Sequence, residues 1–182
     1  MPPRQLLLLV VDAFAAIGLT IAVASSPHAA ISEPAAPKPT TATIMLAGWS
    51  AGEHGAGGGR VCYASVRSAR AEGTAGGRRA VLVVARRVGR AEEWVAIAPD
   101  YTLVRDATVE MTVGATRLAF RSEGGDAFAR DGRAAVRAFL KGREATAVVR
   151  PGPGGRGAAR VTFSLIGFGV ALEAMSRVCP TG

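Results

Sequence analysis

The sequence predicts a mainly β domain, an antiparallel sandwich or barrel that carries two short helices. About eight short segments have strand patterning, and turn residues separate them at intervals of roughly a dozen residues. Helical patterns occur near residues 131–141 and 168–178 only, too few for a doubly wound α/β sheet. With 182 residues and 49% hydrophobic content, the chain can fill the core of one domain.

Residues 1–30 are interpreted as a signal peptide or an N-terminal anchor. Arg4 precedes an apolar run over residues 6–24, which Asp12 interrupts, and small residues follow the run. A basic start, an apolar stretch and small residues are typical of a secretory signal. The run also approaches the length that spans a bilayer, so an uncleaved membrane anchor stays open. Both interpretations predict a periplasmic or secreted domain.

Residues 31–43 are rich in Pro, Ala and Thr and predict an extended linker, because proline disrupts both helices and central strands. The folded domain is therefore expected to comprise residues 44–182. A first strand is predicted at residues 44–49. A glycine-rich turn over residues 50–59 is expected to lead into a second strand near residues 61–66.

Residues 79–85 are continuously apolar, as a strand buried on both faces would be, and they are too few for a confident helix. The arginines that follow this strand are expected to mark an exposed turn: Arg86, Arg87 and Arg90. The next strand is predicted at residues 94–98, where Pro99 ends it.

Residues 108–113 alternate apolar and polar side chains without interruption, which is typical of a half-buried strand. Residues 114–115 are Gly-Ala, a pair that suits a two-residue hairpin turn. Residues 116–121 alternate again and are predicted to return antiparallel to the first strand. Residues 127–129 are ambiguous. Further strands are predicted at residues 144–150 and 160–165.

Two helices complete the predicted domain. Asp131 is a natural N-cap for a helix at residues 132–141, and Gly142 is placed to end it. The apolar face of this helix is predicted to consist of Val136, Phe139 and Leu140. A second helix, at residues 168–178, carries apolar side chains at helical spacing and leads to Cys179.

A set of basic residues recurs along the first helix at steps of three and four positions. We call it the basic stripe, and it consists of Arg130, Arg133, Arg137 and Lys141. Such spacing places the side chains on one side of a helix, about a third of a turn from the apolar face. The stripe is a candidate contact for an anionic envelope or host-surface component, such as lipid headgroups, lipopolysaccharide phosphates or acidic glycans. The alternative is a solvated surface on a protein with net charge +8 whose basic residues are nearly all Arg.

The two cysteines, Cys62 and Cys179, predict one intramolecular disulfide, because disulfides persist outside the cytoplasm. Such a bond would enclose over a hundred residues and stabilise the fold by about 4 to 5 kcal/mol. Free buried thiols or an intermolecular bridge are the alternatives.

The sequence favours a non-enzymatic protein. Gly48-Trp-Ser-Ala-Gly52 matches the nucleophile-elbow pattern, but that pattern requires a strand-to-helix turn followed by an acid and then a histidine. His54 is the last histidine, and glycines follow it. A periplasmic hydrolase that uses Ser50 or the acidic residues remains the alternative. The acidic residues in question are Glu92, Glu93, Asp126 and Asp131.

No cofactor, metal or sequence-specific nucleic acid is expected. The glycines of residues 55–59 lack the Gly-Lys-Ser of a phosphate-binding loop. Two cysteines and two histidines, one of them in the leader, do not form a four-ligand zinc site. The chain has no Asn and a single Gln, Gln5, so amide side chains that read base edges are missing from the domain.

The order and spacing of several motifs resemble the invasion-associated locus B family over about residues 46–179. The motifs are Val61-Cys-Tyr-Ala64, Ala107-Thr-Val-Glu110, Asp126-Ala-Phe128, Ala138-Phe-Leu-Lys-Gly142 and Phe163-Ser-Leu-Ile-Gly-Phe168, followed by Cys179. The resemblance implies an exported bacterial protein with an immunoglobulin-like β-sandwich, linked by the family name to host-cell invasion. It implies no catalytic residues.

Overall fold

The computed structural model describes residues 44–55, 59–73, 79–150, 152 and 157–179. The leader and the linker predicted from the sequence lie outside these residues. The described residues form eleven strands and two α-helices. The strands are β1 (Ile44–Leu46), β2 (Trp49–His54), β3 (Val61–Arg67), β4 (Arg70–Gly73), β5 (Ala80–Arg87), β6 (Glu93–Pro99), β7 (Thr108–Val113), β8 (Thr116–Glu123), β9 (Asp126–Ala129), β10 (Glu144–Val149) and β11 (Ala159–Ser164). The helices are α1 (Gly132–Lys141) and α2 (Phe168–Val178).

All described strand pairs are antiparallel, in the order β1-β2-β3-β5-β6-β9-β8-β7-β10-β11-β4. This single sheet folds over on itself. β3 pairs with β2 and β5, and directly afterwards β4 pairs with β11 near the other end of the order. The Trp49 indole N–H donates to the Ser164 carbonyl at 3.1 Å, which joins β2 to β11. The two halves of the sheet therefore form the layers of a sandwich.

The core lies between these layers and the helices. β5 is buried along most of its length, as its continuous apolar run predicts, whereas β7 and β8 bury alternate residues. Trp49, Phe139 and Phe168 are almost completely buried. The ring centroids of Trp49 and Phe168 are 4.9 Å apart, and those of Phe139 and Phe168 are 5.7 Å apart in an edge-to-face arrangement. One aromatic cluster therefore ties both helices to the sheet, with each ring pair worth about 1 kcal/mol beyond its buried area.

The predicted fold class is confirmed: the domain is a mainly β antiparallel sandwich, formed by one sheet that folds over on itself, with two short helices. Both helices occupy the predicted positions. The β7–β8 hairpin turns at Gly114, which has φ 56°, and Val113 pairs with Thr116. The ambiguous residues 127–129 belong to β9, which pairs with β6 and β8.

The predictions for residues 44–59 were wrong in their boundaries. A strand was expected at 44–49 and a turn at 50–59, but β1 ends at Leu46 and β2 continues to His54. The chain reverses at Ala47 and Gly48, whose φ values are 48° and 86°. Two consecutive positive φ values give a hairpin turn whose twist matches the paired strands. Pairing with β3 then keeps the glycine-containing residues 49–54 extended.

The arginines after β5 also differ from the expectation of an exposed turn. β5 extends to Arg87, and Arg86 is only 7% exposed. Its guanidinium Nη1 lies 3.8 Å from Glu93 Oε1, on the neighbouring strand β6. Arg87 is half-buried over the Trp94 ring, 5.5 Å from the ring centroid. Of the three, Arg90 alone is exposed.

Candidate functional site

The basic stripe depends on α1, and α1 begins where Asp131 caps it. The Asp131 carboxylate accepts a hydrogen bond from the Ala134 N–H at 2.9 Å, which satisfies one of the free donors at the helix start. The buried face consists of Ala135, Val136, Ala138 and Phe139. This face anchors the helix on the sandwich and leaves the opposite side in solvent.

Gly142 ends α1 in an extended conformation. Its N–H donates to the Ala138 carbonyl at 2.9 Å and to the Phe139 carbonyl at 3.3 Å. A Cβ at this position would collide with Cγ1 of Val113 and lie 3.0 Å from Cδ1 of Leu165. Glycine therefore avoids a clash that would force the Val113 side chain of β7 to move, and the chain leaves the helix close to that strand.

All four members of the basic stripe are exposed. Among the described residues, none of them takes part in an ion pair. Arg130 precedes the N-cap and lies outside α1, so its predicted place on the helix was wrong. From Arg133 to Lys141 the helix rises about 12 Å, so the other three cations form a short row. The nearest acid on this element, Asp131, is engaged in the helix cap. The stripe therefore presents charge that no described carboxylate neutralises.

Several other arginines are paired with carboxylates. Arg70 lies 3.2 Å from Glu144, and Arg121 lies 2.8 Å from Asp106. The hydrogen bond and the charge of Asp106 raise the pKa of Arg121, which stays protonated at neutral pH. These ion pairs link neighbouring parts of the fold, whereas the cations of the basic stripe form no such link among the described residues.

The prediction that Leu140 belongs to the buried face of α1 was wrong. Its side chain is 52% exposed, whereas Val136 and Phe139 are buried. At 100° per residue, Leu140 lies about 20° from Arg133 around the helix, so it falls on the solvent side with the stripe. A Cβ on Gly169 of α2 would lie 3.8 Å from Leu140 Cδ2, so Leu140 projects towards the start of that helix.

Two further exposed apolar residues lie within three positions of Gly169, the residue that faces Leu140: Ile166, which is 54% exposed, and Val170, which is 53% exposed. The apolar spacing of α2 predicts a buried face of Phe168, Ala171, Leu172 and Met175, which is confirmed for all but Leu172, which is half-buried. Val170 is offset by about 100° from Ala171, and this offset is the sequence signal that could have revealed its exposure.

The predicted disulfide between Cys62 and Cys179 is confirmed. Their Cα atoms are 6.0 Å apart, they are separated by 117 positions in the sequence, and neither is exposed to solvent. The Arg86 guanidinium donates to the Cys179 carbonyl at 3.1 Å and to the Ser176 hydroxyl at 3.0 Å. Covalent and polar contacts thus fasten the end of α2 to β3 and β5.

Ser50 lies inside β2, opposite Ser65 of β3, and not at a strand-to-helix turn. Its hydroxyl donates to the Met45 sulfur at 2.8 Å. The described contacts of Ser50 include no histidine or carboxylate, which a nucleophilic serine needs for activation. Among the acidic candidates, Glu93 faces Arg86 and Asp131 caps α1.

A shallow depression of about 340 Å³ lies beside β4, β10 and β11. Its described lining consists of Glu72, Gly73, Val148, Ala158 and Arg160. These residues include one carboxylate and one guanidinium, but no serine, histidine or cysteine. Within the described ranges, His, Cys, Asp and Glu form no group of three or more that could hold a metal ion.

In the part of the chain that the structure describes, no helix combines the length and the apolar composition needed to cross a membrane. The membrane anchor considered for residues 1–30 lies outside the described residues.

The fold and the surface define a disulfide-linked antiparallel β-sandwich with a cationic helix on its exterior. This fold is similar to the crystal structure of invasion associated protein B from Bartonella henselae, with a TM-score of 0.52 and 16% sequence identity. The match covers 75% of this chain and 95% of the other. At this identity the similarity shows the fold alone. No protein-family model matches the sequence, and no curated protein is similar to it in sequence.

Proposed function

We propose that the domain is an exported, non-enzymatic protein of the invasion-associated locus B type that contacts an anionic component of the cell envelope or of a host surface. The observation that carries this proposal is the basic stripe, in which four exposed cations, Arg130 just before α1 and the other three along it, have no described carboxylate partner. Exposed charges of one sign attract an oppositely charged surface over about 8 Å at physiological ionic strength.

Two further findings support the compartment and the protein type. The Cys62–Cys179 disulfide suits an oxidising environment such as the periplasm or the extracellular space. The likeness to invasion associated protein B supports a common fold. The proposed family link rests on the motifs quoted from the sequence. Ser50 inside a paired strand gives no support to the hydrolase alternative.

Charge reversal on the stripe tests the proposal. The full chain, exported to the periplasm of a heterologous bacterium, is applied to a heparin column and eluted with salt. The variant Arg133→Glu/Arg137→Glu should elute at clearly lower salt than the wild type, because it removes two cations and adds two anions. A glutamate in the first turn suits the helix dipole, and a glutamate at position 137 precedes Lys141 by four residues, so α1 should stay folded.

The matched control is Arg105→Glu/Arg150→Glu, which changes the net charge equally. Both residues are exposed and form no ion pair among the described residues. They lie near the end of β10 remote from α1, where the Val104 N–H donates to the Arg150 carbonyl. The control should elute closer to the wild type than the stripe variant does. Equal elution of the two variants would mean that total charge, and not the stripe, governs binding.

A further inference from the structure

Three exposed apolar side chains gather at one end of the basic stripe. Six large apolar residues are exposed within the described ranges, and three of them lie on the last turn of α1, the turn before α2 and the first turn of α2. We call these three residues, Leu140, Ile166 and Val170, the apolar patch. Single exposed apolar residues are ordinary, but a contiguous group beside a polar rim indicates a contact surface.

The rim of the apolar patch is cationic. Lys141 follows Leu140 directly, and Arg137 precedes it by one helical turn. Arg143 is exposed, forms no ion pair among the described residues and lies near the turn, where its carbonyl accepts the Leu165 N–H at 3.0 Å.

The acidic residues around the patch are already engaged. Glu173, one turn beyond the start of α2, lies 3.5 Å from Arg177 on the same helix. Glu144, which begins β10, lies 3.2 Å from Arg70. The charge left beside the apolar patch is therefore positive.

We propose that the apolar patch and the basic stripe together dock the domain on the surface of an anionic lipid bilayer. This inference rests on the proposed function, since it names the partner of the same stripe. A bilayer surface offers anionic headgroups and hydrocarbon within about 5 to 10 Å of each other, which matches cations beside apolar side chains on projecting turns. A sulfated polysaccharide offers the charge but no hydrocarbon, so it would leave the apolar patch in water.

The docking is peripheral and reversible. With three apolar side chains, the surface buries far less hydrocarbon than a spanning helix, so the cations must contribute much of the affinity. Each cation near an anionic membrane strengthens binding roughly fivefold. Binding should therefore require anionic lipid and weaken with salt.

Vesicle binding tests the role of the apolar patch. The full exported chain is mixed with vesicles of phosphatidylcholine alone, or of phosphatidylcholine with phosphatidylglycerol, and the bound fraction is measured by sedimentation. Leu140→Ser/Val170→Ser should weaken binding to the anionic vesicles about tenfold and leave elution from heparin unchanged. Val104→Ser is the control, because Val104 is 40% exposed and lies between β6 and β7, beside the end of β10 that is remote from α1. The N-terminal segment is the same in every variant, so differences report on the substituted side chains.

A second variant uses tryptophan fluorescence to report whether the apolar patch contacts lipid, and it keeps the patch apolar. Val170→Trp places an indole at the lipid surface, where its emission should shift to the blue when anionic vesicles are added. Val104→Trp, at the control position, should show no such shift. Because both residues are exposed, neither substitution disturbs the core.

The outcomes separate the two proposals. If the apolar variant binds anionic vesicles like the wild type and the Val170→Trp emission does not move, lipid docking is overturned, while stripe-dependent binding to heparin still supports the proposed function. Self-association of the wild type that the apolar variant abolishes would assign the patch to a second copy of the chain. If charge reversal has no effect on heparin or vesicles, the proposed function itself fails.

Discussion

Removal of the Cys62–Cys179 bond should destabilise the domain more than any other single change considered for this chain. The replacement Cys62→Ala/Cys179→Ala is preferable to serine, because both side chains are completely buried and a hydroxyl there would lack solvent. The bond joins β3 to the residue that ends α2. Its loss frees the C-terminal helix from the strand while the aromatic cluster around Phe168 remains.

The magnitude follows from the size of the closed loop. Cys62 and Cys179 are 117 positions apart, and closing a loop of this size removes about 16 cal/mol/K of entropy from the unfolded chain, or about 5 kcal/mol at 25 °C. Domains of this kind are stable by about 5–15 kcal/mol. The double variant should therefore lose a third or more of its free energy of unfolding.

Urea unfolding followed by tryptophan fluorescence measures this loss, because Trp49 is fully buried and reports on the core. With an m-value of about 2 kcal/mol/M, the midpoint should fall by about 2 M or more. Wild-type protein treated with a reductant should match the double variant. If the free energy of unfolding falls by less than about 1 kcal/mol in both the double variant and the reduced wild type, the argument is refuted. The disulfide would then constrain an unfolded chain that already has residual order.

The remaining predictions concern the two ends of α1. Asp131→Ala removes the helix cap and should lower the free energy of unfolding by about 1 kcal/mol. Asp131→Ser supplies another capping oxygen and should keep most of that stability. Equal thermal midpoints for the two variants would contradict a role for the cap. Gly142→Ala drives a Cβ into Val113 and should cost about 1–3 kcal/mol. Gly169→Ala is its control, because the added Cβ meets only Leu140 at 3.8 Å, and its thermal midpoint should not fall.

Much of the fold was predictable because local signals and tertiary structure agree in several places. Residues 108–121 combine uninterrupted alternation with a Gly-Ala turn, and they form the β7–β8 hairpin. Asp131 and Gly142 delimit α1 at the predicted positions, although Gly142 is extended and not left-handed as a glycine after a helix usually is. The two cysteines form the predicted intramolecular pair.

Other features were not predictable because neighbouring segments decide them. Ala47 adopts a positive φ that alanine rarely takes, so nothing in its identity indicates a turn. β4 has exposed or half-buried residues without apolar alternation, and it is extended because β11 pairs with it at the edge of the sheet. Arg86 is buried because its guanidinium lies beside the Glu93 carboxylate and donates a hydrogen bond to the Ser176 hydroxyl of α2.

The basic residues of the candidate site were predictable from the sequence, but its apolar residues were not. Spacing alone places Arg133, Arg137 and Lys141 on one side of a helix, and the structure keeps them exposed. The helical pattern predicts a buried Leu140, yet Leu140 is exposed because the boundary of the buried face depends on how α1 rests on the sheet. Ile166 and Val170 come near Leu140 only because α2 packs with Gly169 facing Leu140, so no pattern within α1 reveals the apolar patch.

The salt dependence of heparin binding tests the central claim, that the stripe contacts an anionic surface, most directly. Binding constants are measured over a range of salt concentrations for the wild type, the stripe variant and the Arg105→Glu/Arg150→Glu control. Four contacting cations should give a slope of log affinity against log salt of about −3 for the wild type. The control should keep most of this slope, and Arg133→Glu/Arg137→Glu should reduce it to about −1 or less in magnitude. Identical slopes for the two variants would contradict the assignment of the stripe as the contact.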